Sequence, residues 1–417
     1  MNYLRKIFNL GKDVSKRDIT AAAAISAAAF FLLGGYEVLR SSSNTLYRVA
    51  YGAHNFPAVT AIVPIGTLLI LYAYGWALSQ VGPRKALLAT NLASGVIFLF
   101  CYEAIGRGSR PAAAVLYIFR EAYIIVIIEQ YWSFLNSTLR ESSARKLNGA
   151  ITGLGSLGGI LGGLLLYKLS EILGTRSMLL FTAFSILPAA LCSDWAYRSC
   201  GEPAPETPQG LKTHDHLGTR AFKSSPLLAL LFMLVMVTQV VSSVLTFSFQ
   251  TFLESGISQV DSQTAYSGRF YAILLSVSLL LQFVGTPVLL RAVDIVWIQW
   301  AIPVVHMAAA GLLIFSPSLT TASLALLLFK SIDYSIFRAA KEIFYIPLSF
   351  DARYRAKEVI DVFGYRFGKG AASLFIVALQ KADLFADSLY RLIALAGSIA
   401  WLVAALPLGR LSRKTSR

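Results

Sequence analysis

Charge is scarce in this chain: Asp, Glu, Lys and Arg make up 14% of its 417 residues, and 56% are hydrophobic. A soluble domain carries about 25% charged residues, so a chain this apolar cannot hide its hydrophobic surface in a core and must meet lipid. Cysteine is almost missing as well. Cys101, Cys192 and Cys200 have no metal-type spacing, which indicates neither a disulfide framework nor a zinc site. Histidine occurs four times. His214, Asp215 and His216 fall in a short polar stretch without the further ligands that a closed metal site needs. The sequence has no P-loop, no His-Glu-x-x-His and no nucleophile elbow, and His306 has no carboxylate within a helical turn. Neither an enzyme nor a cofactor or metal is expected.

What remains is one apolar run after another. A helix of about 20 apolar residues crosses a bilayer, and about twelve such segments can be placed: 18–39, 55–79, 86–105, 112–135, 148–168, 177–197, 226–253, 268–290, 295–315, 320–339, 360–381 and 387–408. The first follows a basic stretch, as in a signal peptide, but lacks a small-residue cleavage site and is read as retained. The longest polar connection contains Pro203, Pro205 and Pro208 and separates six spans from six. The expected fold is thus an all-α integral membrane protein of about twelve transmembrane helices. Residues 1–197 form one six-helix bundle, 198–225 a flexible linker, and 226–417 a second bundle.

Lys and Arg alternate in abundance between successive loops. Arg5, Lys6, Lys12, Lys16 and Arg17 precede span one; Arg84 and Lys85, Arg140, Arg145 and Lys146, and Lys212, Arg220 and Lys223 lie in alternate loops on the same side. The opposite loops hold only Arg40, Arg48, Arg107, Arg110 and Arg176, with Lys168 and Lys381 near span ends. Both termini are therefore expected in the cytoplasm, the membrane being a bacterial inner membrane. The net charge of +15 records this topology. Basic residues scattered over short loops do not suit a nucleic-acid partner.

Charges inside the spans are the chemical signal, because a charge near the bilayer centre costs a few kcal/mol at least unless it faces a partner or a watery cavity. Span four carries Arg120, Glu121 and Glu129; span ten carries Lys330 and Asp333 one turn apart; span eleven carries Arg366 and Lys369; Glu37 and Arg40 close span one. Interhelical salt bridges that lock the bundle are the competing explanation for each. Lys330 and Asp333 are expected to act as a pair, and Lys341 and Glu342 to serve as a gate or loop anchor. In span five, Gly155, Gly159 and Gly163 clear one helix face for close packing.

Gly75-Trp76-Ala77-Leu78-Ser79-Gln80-Val81-Gly82-Pro83-Arg84-Lys85 resembles the loop motif between spans two and three of the major facilitator superfamily, with Ser79 in place of its acidic residue. The resemblance implies two bundles around a midplane site, and makes Arg84 and Lys85 loop anchors. A narrower likeness lies further on. Lys341-Glu342-Ile343-Phe344-Tyr345-Ile346-Pro347-Leu348, then Arg355-Ala356-Lys357, then Asp361-Val362-Phe363-Gly364-Tyr365-Arg366-Phe367-Gly368-Lys369-Gly370, resembles the ATP:ADP antiporter (nucleotide translocase) family of plastids and intracellular bacteria. Trp132-Ser133-Phe134-Leu135-Asn136 and Ala144-Arg145-Lys146-Leu147-Asn148-Gly149 extend the likeness to the amino half. It implies that Glu121 and Lys369 belong to the transport site. Ser43 stands where nucleotide-carrying members place a lysine, and span seven offers Gln239, Thr246, Ser248 and Gln250 where they place an acid.

The expected function is secondary transport of an anionic solute by alternating access, with ATP/ADP-type exchange first. Lys369, Arg366, Lys330 and Arg120 would neutralise the anion, and Glu121, Glu129 or Asp333 would pair with these cations in the empty carrier. The alternatives are a proton-coupled symporter or exporter of another metabolite and, from a different class, a non-transporting membrane sensor, which the absence of a foldable appended segment disfavours. The carrier is expected to act as a monomer, with the solute and the bilayer as its partners.

Overall fold

Inside a bilayer every backbone polar group must be satisfied within its own segment, which for runs this long means helices. The computed structural model describes residues 16–138, 141–201, 226–345, 360 and 364–408, and the described residues are helical apart from short turns. Residues 202–225, most of the expected linker, and the motif residues 346–359 and 361–363 lie outside the described residues. The helices are α1 (Lys16–Tyr51), α2 (Phe56–Gly106), α3 (Arg110–Thr138), α4 (Glu141–Leu173), α5 (Met178–Cys200), α6 (Pro226–Gly256), α7 (Val260–Leu280), α8 (Thr286–Ala292), α9 (Ile295–Phe315), α10 (Leu319–Ile332), α11 (Arg338–Tyr345), α12 (Tyr365–Lys381) and α13 (Ser388–Ala405).

Ten helical runs among the described residues are long and apolar enough to cross a membrane. One of them, Ala53–Gly106, contains α2, which turns at Gly82 (φ +78°), a left-handed conformation that any Cβ would strain. The motif loop therefore sits at a real break, and that run supplies two spans. Two pairs of helices are continuous. π-helical turns at Leu281–Gly285 and Asp333–Phe337 join α7 to α8 and α10 to α11, each holding one residue more than an α-turn would. Large apolar side chains such as Leu69, Tyr72, Trp76, Leu191 and Phe315 are exposed, as lipid-facing residues are.

The chain divides into two compact units. The first takes the described residues of Met1–Tyr51, Ile65–Thr207 and Gln259–Leu275; the second those of Gly52–Pro64, Pro208–Ser258 and Ser276–Arg417. In the first, α1 is central and packs against α3, α4 and α5. Leu39, Leu46, Phe98, Leu116, Leu179 and Ile186 form much of its core. Glycines bring α4 close to its neighbours: Gly158 and Gly162 meet the backbone of Phe30 and Gly34, while Gly163 meets Gly268 and Ala272. The glycine-rich helix thus serves two contact faces through close packing. In the second unit α6 is central and packs against α10, α12 and α13, with α9 against α10 and α13.

Candidate functional site

Each unit holds its own set of buried charge. In the first, α1 runs well past the expected end of span one at residue 39, because the polar residues beyond it lie on one stripe: Glu37, Arg40, Asn44 and Arg48 follow one another at three or four residues. Arg40 pairs with Glu37, and its guanidinium lies 3.5 Å from the centre of the Tyr271 ring. Arg120 on α3 is 2% exposed and directs its guanidinium to three acceptors. It donates to Glu121 at 2.6 Å, to the Asn44 side chain at 2.8 Å and to the Arg40 carbonyl at 3.1 Å, with Tyr117 beneath it at 4.4 Å. Two guanidiniums and two carboxylates close on each other here. Such a cluster is electrically balanced, and its charges are tolerable in a low dielectric because each is paired and hydrogen-bonded.

The count of loop charges puts Arg48 outside the spans, whereas it lies buried within α1, donating to Gln263 at 2.9 Å and Thr45 at 3.2 Å. Its place on the stripe at i+4 from Asn44 is the signal that a loop assignment overlooks. Ser43 is fully buried and gives its hydroxyl to the Arg40 carbonyl at 3.1 Å. Glu129 is exposed two turns beyond Glu121 and takes no part in this cluster's ion pairs.

At the other end of the first unit, Arg84 binds Asp194 through Nε at 2.7 Å and Nη2 at 2.6 Å, and Arg198 holds the second oxygen of the same carboxylate at 2.8 Å. Arg84 thus has a partner on α5 that the sequence does not single out. Lys85 is exposed.

In the second unit Lys330 donates to Ser242 of α6 at 2.7 Å. Among the described residues no ion pair joins it to Asp333, so the two charges expected to act together are not in direct contact. Asp333 opens the π-helical turn, is 4% exposed, and has one carboxylate oxygen, Oδ1, with no hydrogen-bond partner among the described residues. Lys330 precedes it by one helical turn on α10, and Arg338 and Lys341 follow it on α11. Lys341 is buried, its ammonium 5.1 Å from the Tyr365 ring centre. Glu342, Arg366 and Lys369 are half-buried. Span seven is uncharged within its buried face, where Gln239, Ser248 and Gln250 are enclosed. Among the described residues no cluster of His, Cys, Asp and Glu could hold a metal ion.

Residues 273–410 match the model of the TLC ATP/ADP transporter family. No curated protein matches the chain. Solved structures do: a bacterial homolog of the human lysosomal transporter Spinster, inward-facing and unoccupied, is 15% identical over 96% of this chain and 98% of that one, with a TM-score of 0.63. The nucleoside transporter NupG is 14% identical over 94% of this chain and 98% of that one, with a TM-score of 0.65. A D-xylose-proton symporter is 14% identical over 92% and 96%, with a TM-score of 0.62. At such identities the likeness is one of fold, and that fold is the major facilitator fold of a multi-pass membrane protein.

Proposed function

We infer that this chain, a major facilitator protein carrying the TLC ATP/ADP transporter match over its residues 273–410, is a secondary transporter that exchanges nucleotides of the ATP/ADP type. The observation that carries the reading is the sign of the charge on the helices of that matched stretch. Among the described residues of Leu319–Lys381, the buried or half-buried Lys330, Lys341, Arg366 and Lys369 stand against Asp333 and Glu342, while Arg338 and Lys381 are exposed. A surplus of cations in a low-dielectric setting suits a polyanion, and charge-assisted contacts to phosphate are about twice as strong as neutral hydrogen bonds. The balanced cluster of the first unit suits a different task. Its ion pairs would hold α1 against α3 and keep Glu121 in place rather than supply net positive charge.

Lys369 and Lys330 are assigned to the phosphates, with Arg366 beside them. Lys341, Glu342 and Arg84 are assigned to the cytoplasmic gate and loop anchors, with both termini cytoplasmic and 198–225 linking two six-span halves. Counterflow decides the matter. Proteoliposomes loaded with unlabelled ADP should accumulate labelled ATP, whereas empty liposomes or liposomes loaded with xylose should not. Accumulation of a neutral sugar, with no response to ATP or ADP, would overturn the reading.

A further inference from the structure

We propose that Lys168 of α4 and Arg269 of α7 hold the phosphate of an anionic phospholipid on the membrane-facing surface of the first unit. Under the positive-inside topology the site lies in the outer leaflet, on the side away from both termini. It is separate from the transport path and stands independently of the nucleotide reading.

The two helices meet through their backbones. A side-chain carbon added to Gly163 would fall 2.9 Å from the Gly268 carbonyl oxygen, and one added to Gly268 would fall 2.9 Å from the Tyr167 amide nitrogen. This approach sets Tyr167 and Lys168 beside Arg269, and both cations gather on one ring. The Lys168 ammonium lies 5.3 Å from the centre of Tyr167 and the Arg269 guanidinium 5.9 Å from it, within the range of cation–π attraction. Both side chains are exposed, and neither forms an ion pair or a hydrogen bond with any described residue. The acids at the same helix ends are engaged elsewhere: Glu171 accepts from the Ser262 hydroxyl at 2.7 Å, and Asp261 accepts from the amide and hydroxyl of Thr175, each at 2.6 Å.

Their neighbours identify the surroundings. On α4, Leu161, Leu164, Leu165 and Ile172 share an exposed stripe with Lys168, and on α7 Ile273 is exposed one turn from Arg269. An exposed apolar stripe on a membrane helix faces acyl chains. Lys168 lies about 7.5 Å inside the end of α4, and Arg269 about 13.5 Å inside the start of α7, at 1.5 Å per residue. Long basic side chains at that depth reach outward to the boundary between acyl chains and headgroups. Charges on a lipid-facing stripe call for a counter-charge, and these two stand on the side of the membrane where basic residues are few. A phospholipid phosphate supplies that counter-charge at the right depth, with its chains along the leucines. Arginine offers its oxygens a planar fork and lysine a point charge. A zwitterionic lipid brings its own cation to the same phosphate, which leaves an anionic headgroup such as phosphatidylglycerol as the better fit. Free phosphate has no chains to lie against the stripe.

The test uses the full-length protein, purified in detergent, delipidated, and titrated with phosphatidylglycerol, phosphatidylcholine or inorganic phosphate under native mass spectrometry. Phosphatidylglycerol should bind the wild type about tenfold more tightly than the double variant Lys168→Gln, Arg269→Gln, whereas phosphatidylcholine should bind the two alike. Lys168→Arg should keep the wild-type affinity. Equal binding of phosphatidylglycerol to wild type and double variant overturns the site, as does a wild type that binds the two lipids equally. Inorganic phosphate that binds as tightly as phosphatidylglycerol would mark a site for a free anion and overturn the lipid assignment. Should the double variant fail to fold, a phosphatidylglycerol with a photoreactive diazirine near its headgroup decides on the wild type. Crosslinks to peptides from 161–173 and 260–275 that excess phosphatidylcholine does not suppress support the site, and their absence overturns it.

Discussion

At the scale of single residues, the charges of the first unit are bound to one another more tightly than their separate positions in the sequence imply. Removing one partner therefore tests stability as well as transport. Glu121→Ala leaves Arg120 buried with two neutral acceptors, and breaking a buried pair costs about 3–5 kcal/mol, less here because Glu121 is partly exposed. A lower thermal midpoint in detergent is expected for Glu121→Ala and a smaller loss for Glu121→Gln, which keeps an acceptor; equal midpoints for these two and the wild type would refute the paired geometry. Ser43 changes meaning in the structure. A lysine there, which would restore the cation that nucleotide carriers have, must enter a fully enclosed site beside Arg40 and Arg120. Ser43→Lys is thus expected to reduce the yield of folded protein in size-exclusion chromatography rather than tighten ATP binding. The sequence discloses which residues are charged inside the spans. It does not disclose that Arg120 reaches Asn44 or that Lys330 turns to Ser242, since both depend on which helices become neighbours.

Among the elements, apolar run length locates the helices well, because lipid allows little else, and the boundaries fail where polar residues continue a helix beyond the hydrocarbon. α1 is the example: its 36 residues span roughly 54 Å at 1.5 Å each, far more than the hydrocarbon thickness of about 30 Å. The glycines of α4 are visible as a pattern, but their partners are not. Gly158 faces the backbone of Phe30 with no space for a side chain, whereas Gly311 on α9 has open space around it. Gly158→Leu should abolish the monodisperse peak of a fluorescently tagged carrier, and Gly311→Ala should leave it unchanged. A normal peak for Gly158→Leu would mean that α1 and α4 are not packed as described. Gly82, at φ +78°, is a second such point, and its role in ending one span and starting the next is implied by the loop motif alone.

For the molecule as a whole, the positive-inside asymmetry predicts that cysteines introduced at Lys6, at positions from Pro203 to His216 and at Lys414 react with membrane-impermeant reagents only from the cytoplasmic side. Labelling of the 203–216 stretch from outside would break the twelve-span topology. The division into units also bears on how the chain is made. Gln259–Leu275 lies after α6 in sequence and yet belongs to the first unit, where Asp261 accepts hydrogen bonds from the amide and hydroxyl of Thr175 and Gln263 receives Arg48. During synthesis, the first six spans emerge with Arg48 and Thr175 lacking these partners until Leu275 has left the ribosome. The first unit is therefore complete only once the chain has been made through Leu275, beyond α6.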